Sequence, residues 1–141
     1  MKRKGVWILS VSLMIVLGTA LTASAHMVFD IWFEQTTIMI TKPGVYDCDV
    51  RVDPLYANVG FVLSVDQDSL PDNVHAMFMP PVGFFKYADD PPEMIKLIVI
   101  VGPQAPQGGY TMYCNLTQII PPYDKDEETI RGPVLSISFS K

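Results

Sequence analysis

The chain has 141 residues, 49% of them hydrophobic, with 10 basic and 15 acidic side chains and a net charge of −5 with His neutral. Such an acidic chain lacks the basic footprint that nucleic acid or an anionic lipid surface requires. No Gly-x-Ser-x-Gly, Gly-rich phosphate loop or His-Glu-x-x-His occurs, which removes the commonest hydrolase, nucleotide and metalloprotease signatures.

Lys2, Arg3 and Lys4 form a basic start, Val6 to Leu21 an apolar run, and Ala23-Ser24-Ala25 the small-x-small pattern of a signal-peptidase site. The run is also long enough for a retained anchor. The cleavage pattern that follows it directly favours a Sec-type signal peptide over 1–25, with no Cys placed for a lipid anchor. Residues 26–141 are then one exported domain, periplasmic or extracellular, with no membrane span in the mature chain. Without the three leader cations, 7 basic residues face 15 acidic ones, a net charge of −8. Two cysteines in an exported chain read as one disulfide. Cys48–Cys114 would close a loop of about 66 residues, worth roughly 4 kcal/mol.

The alternation in Phe29, Ile31 and Phe33 predicts a first strand ending at Gln35, and Thr36 to Thr41 a short extended piece before the turn Lys42-Pro43-Gly44. Val45 to Val52 alternates cleanly, with Tyr46, Cys48, Val50 and Val52 inward and Asp47, Asp49 and Arg51 outward. Gly60 to Val65 and Val74 to Met79 are further strands, the latter stopped by Pro80-Pro81. Pro80 to Pro92 is expected as a loop carrying Phe84, Phe85 and Tyr87, either as a contact surface or as a cap on the core. Met94 to Val101 is almost wholly apolar and predicts a central strand covered on both faces. Gly108 to Thr117 is a half-buried strand with Tyr110, Met112, Cys114 and Leu116 inward. Ile119 to Gly132, rich in Pro and then charge, is expected as a surface loop before a last strand containing Leu135, Ile137 and Phe139. No segment holds a helical period over three turns. About seven short strands with frequent turns predict an all-β, antiparallel sandwich.

The Cys48 and Cys114 strands fall where the second and sixth strands of the immunoglobulin-like superfold lie, at a similar spacing, and Gly109-Tyr110 resembles its entry into the sixth strand. The resemblance implies an immunoglobulin-like β-sandwich with an inter-sheet disulfide. Two positions depart from the antibody pattern. No Trp stands on the third strand, where Phe61 or Leu63 must fill the space, and Met112 replaces the Tyr two residues before the second Cys. A fold-level resemblance implies no function.

Two histidines carry the sharpest chemical signal. Cleavage after Ala25 would leave His26 as the mature amino terminus, whose α-amine and imidazole suit copper. At that one position it resembles copper monooxygenases and CopC-type carriers. His75, Met77 and Met79 share one face of a strand, and an imidazole beside two thioethers is a soft donor set that selects Cu(I). The His-x-Met-x-Met string is similar to part of the motif of PCuAC-type periplasmic copper chaperones, which places a further His and Met upstream at a spacing this chain lacks. Packing is the competing role for the two Met. Asn115-Leu116-Thr117 fits a glycosylation sequon. The reading is a non-catalytic exported binding protein, with His26, His75, Met77 and Met79 as a copper site. Its alternative is a structural, adhesive or accessory module that engages a protein partner at the cell envelope.

Overall fold

The computed structural model describes residues 27–120 and 124–140. The expected signal segment 1–25 and His26 lie outside them. The chain order is β1 Phe29–Phe33, β2 Thr37–Ile40, β3 Gly44–Pro54, β4 Val59–Val65, a 3-10 turn Gln67–Ser69, β5 Val74–Met79, β6 Val82–Phe85, β7 Glu93–Val101, β8 Gly108–Ile120 and β9 Asp124–Ile137. A four-stranded sheet, ordered β1-β3-β7-β5, packs on a five-stranded sheet, ordered β2-β9-β8-β4-β6. The architecture is an immunoglobulin-like sandwich, antiparallel except where β2 runs parallel to β9.

Both flanks are made by segments that change sheet. β1 edges the first sheet, and after Gln35 and Thr36 the chain becomes β2, edging the second. Likewise β5 edges the first sheet and, past Pro80 and Pro81, β6 edges the second. Period-two alternation supplies one apolar face per strand, so β3 buries Cys48, Val50 and Val52 while β8 buries Met112, Cys114 and Leu116. Phe61 occupies the centre where the antibody pattern has Trp. Phe29 meets it edge-on at 5.4 Å and Phe85 lies at 6.0 Å. Gly83 faces this ring, and a Cβ there would overlap it. Buried Gln118 accepts the Val28 N–H at 2.7 Å, tying the start of β1 to the opposite sheet. The Tyr110 hydroxyl reaches back to the Gln107 carbonyl at 3.0 Å, bracing the entry to β8.

Four expectations are corrected. Cys48 and Cys114 are free thiols, so the structure contains no disulfide between them. Each sulfur leans within its own sheet: Cys48 Sγ lies 3.5 Å from the Asp49 carbonyl, and Cys114 Sγ packs against Gly132. Burial pushes both thiols up, Cys114 to about 12. The Pro80–Pro92 segment is not all loop, because β6 pairs with β4 and turns Phe85 into the core while Phe84 and Tyr87 stay exposed. Ile119–Gly132 is largely strand, since β8 holds Asp124–Arg131 in antiparallel register despite its charge. Lastly, β7 is central in its sheet but covered on one face only: Met94, Lys96 and Ile100 are exposed on the other.

The Phe61 contacts give a direct expectation. Phe61→Ala should lower the free energy of unfolding in urea by about 3–5 kcal/mol, and Gly83→Ala by about 1–3 kcal/mol through overpacking. A Gly83→Ala loss that persists in the Phe61→Ala background would show that the ring is not what Gly83 accommodates.

Candidate functional site

The outer face of the four-stranded sheet gathers the residues worth reading for function. Its register sets four rows across the strands: Trp32–Arg51–Met94, Asp49–Lys96–Met79, Asp47–Ile98–Met77 and Val45–Ile100–His75. In the first row Trp32 is 58% exposed, and the Arg51 guanidinium sits 5.3 Å from its ring centroid. Arg51 Nε is in turn 2.9 Å from Asp53 Oδ2, which fixes the side chain over the indole. Trp32, Glu34, Asp49, Arg51 and Met94 surround a hollow of about 300 Å³.

The second row is charged. The Lys96 ammonium donates to Asp49, which holds that carboxyl below the usual aspartate range and raises Lys96. Met79 ends that row, and beyond it Met77, Val45 and Ile100 are exposed beside Ile98, with Asp47 and His75 at the margins. His75, Met77 and Met79 do share one exposed face of β5, as the sequence pattern requires. Phe29, three residues after His26, lies beside Pro54, whereas His75 lies in the Val45 row. Those rows are about 30 Å apart along the strands. Among the described residues no group of three His, Cys, Asp or Glu is arranged to hold a metal ion.

A second hollow, about 440 Å³, opens on the flank where β1 leaves its sheet. Ile31 and Phe33 form one wall, Arg131, Gly132 and Pro133 the other, and Trp32 borders both hollows. Trp32 is not among the candidate residues that the sequence singles out. A Trp alternating with Asp30 and Glu34 was the available signal.

No protein-family model matches the chain, and no curated protein sequence does. Solved structures do resemble it. The Vibrio cholerae VesB protease aligns with a TM-score of 0.51 at 15% identity, over 84% of this chain and 34% of that one. The E. coli chaperone DraB aligns at 0.46 and 13%, over 80% and 57%. The Salmonella SafD adhesin aligns at 0.44 and 9%, over 79% and 99%. These are likenesses of fold, and the chain spans about a third of the VesB chain it matches. Among the described residues no helix is long and apolar enough to cross a membrane.

The Asp49–Lys96 pair fixes a pH dependence. Since the folded carboxyl titrates below its unfolded value, its stabilisation is fully present above about pH 4 and fades as pH falls through the folded pKa. In an NMR titration Lys96→Met should move the Asp49 midpoint upward toward the ordinary value. An unmoved midpoint would rule out Lys96 as the cause.

Proposed function

We propose that the chain is a non-catalytic binding module exported to the cell envelope, which docks a protein partner on the outer face of the four-stranded sheet. One observation carries this reading. Apart from Lys96, β7 is apolar on both sides from Met94 onward, the pattern of a strand covered on both faces, yet among the described residues only its inner side is covered. Met94, Ile100, Met77, Met79 and Val45 therefore form an exposed apolar surface, ending at a Trp32 that Arg51 holds in place. Exposed apolar side chains gathered on one face around a single ion pair mark an interaction site, and Trp and Arg are the residues that dominate binding energy at such sites. A photo-crosslinking residue at Met94 or Ile100 should capture one discrete envelope protein that the same residue at Val62, on the other sheet, does not. Trp32→Ala should weaken that complex by about 2 kcal/mol, some thirtyfold. Equal capture from Val62, or none from either sheet, would refute the reading.

A second reading is a soft-metal site on β5, supported by the common exposed face of His75, Met77 and Met79. Alternate residues in a strand lie about 6.7 Å apart, so His75 and Met77 can reach one Cu(I) together. Met79 is about 13 Å from His75 and lies opposite Lys96, whose charge disfavours a cation there. The site would thus centre on His75 and Met77, with Met79 as an outlying donor. His26, expected as a further copper ligand, lies outside the described residues. Titration with Cu(I) should show saturable binding that His75→Ala and Met77→Leu each weaken at least tenfold. Binding unchanged in both variants would eliminate this site.

A further inference from the structure

We propose that the outer edge of β9, from Asp124 to Arg131, accepts an added β-strand from a partner protein, and that the incoming segment is extended and rich in Lys and Arg.

β9 pairs with β8 along most of its length, but β2 covers its other edge only from Val134 to Ile137. The reason is local. Gly132 and Pro133 sit at a register shift against β8, and Pro133 has no N–H to offer a neighbour. At that level the chain that would extend β2 crosses at Gln35 and Thr36 to become β1 of the other sheet. Along eight residues of β9, about 27 Å of strand, the N–H and C=O groups of alternate residues point outward, unpaired by any neighbouring strand among the described residues. The hollow walled by Ile31, Phe33, Gly132 and Pro133 adjoins one end of this edge and would take apolar side chains of an added strand.

Charge selects the occupant. Asp124, Asp126, Glu127 and Glu128 stand on this edge against Lys125 and Arg131. Asp126 and Glu128 lie opposite inward-facing Gln118 and Leu116 and are only half exposed, so they look into the open flank. Among the described residues the ion pairs are Arg51–Asp53 and Lys96–Asp49, so none of these four carboxylates has a cationic partner there. A second copy of β9 would bring the same carboxylates against each other, which opposes self-pairing. A basic strand would satisfy both the backbone groups and the charges, the combination that strand addition to a sheet edge uses. This surface is distinct from the outer face of the four-stranded sheet, so Ile100→Ser should leave it unchanged.

The probe is a synthetic peptide, acetyl-Lys-Val-Lys-Val-Lys-Val-Lys-amide, added to the full chain at about 0.15 M salt, where long-range charge effects are screened. Slowed hydrogen exchange at alternate amides within 124–131 is expected, with binding that falls at least tenfold when Glu replaces Lys in the peptide. Of two peptides N-methylated at all Val or at all Lys, one should also bind at least tenfold more weakly, since methylation removes backbone donors and keeps the charge. The proposal is overturned by equal binding of both methylated peptides, by unchanged exchange at 124–131, or by a dimer that protects those amides without peptide.

Discussion

All four edge strands of this sandwich come from two segments that each change sheet, 27–40 on one flank and 74–85 on the other. The rest of the structure depends on that arrangement. A sandwich whose flanks are laced by continuous chain is held together covalently at both sides, and the packing between sheets need not supply all the registration. The same economy has a consequence. One segment divided between two edges cannot cover either along its whole length, so each flank is sealed where the strand lies and open where it crosses.

The two flanks resolve this differently. On the β5–β6 side the crossing is short, and β6 delivers Phe85 directly onto Phe61, with Gly83 leaving room for the ring. On the β1–β2 side, closure is strong only at the start. There Phe29 packs on Phe61 and Phe85, and Val28 donates to Gln118 deep in the opposite sheet. Toward Gln35 the strands diverge and the hollow beside Pro133 opens. A buried amide and three aromatic rings thus fix one end of the flank, while its other end is left accessible.

Much of the fold is legible in the chain because alternation is a local property. The strands at Val45, Gly60, Val74 and Met94 all lie within a residue or two of their expected positions, and Phe61 and Leu63, the two residues named for the place of the Trp, are both buried. Pairing is not local, and that is where the reading fell short. Asp124 to Arg131 has the composition of a loop and becomes strand only because β8 offers a continuous partner. Phe85 lies in a Pro-bounded stretch and is buried only because the chain crosses at Pro80 and Pro81 to reach β4. Of the candidate site, the common face of His75, Met77 and Met79 was readable from spacing alone. Trp32, Arg51 and Met94 belong to three strands, and no sequence interval shows that they meet.

The two outer faces of the molecule serve as controls for each other. They share one chain, one solvent and the same strand periodicity, so a difference between them is not a property of the fold. On the five-stranded sheet the outward positions mix Ser64, Asn115, Thr117, Glu127 and Thr129 with exposed Met39, Val62, Val82, Phe84 and Tyr113. On the four-stranded sheet the corresponding surface holds Met77, Met79, Met94, Ile98, Ile100 and Trp32. Folding alone would be served by a polar surface on both, since outward apolar side chains contribute nothing to the core and leave the protein prone to association. Both faces retain some, so the difference the proposed docking surface rests on is narrower: only the four-stranded face ends in a Trp held by an Arg, Trp32 under Arg51.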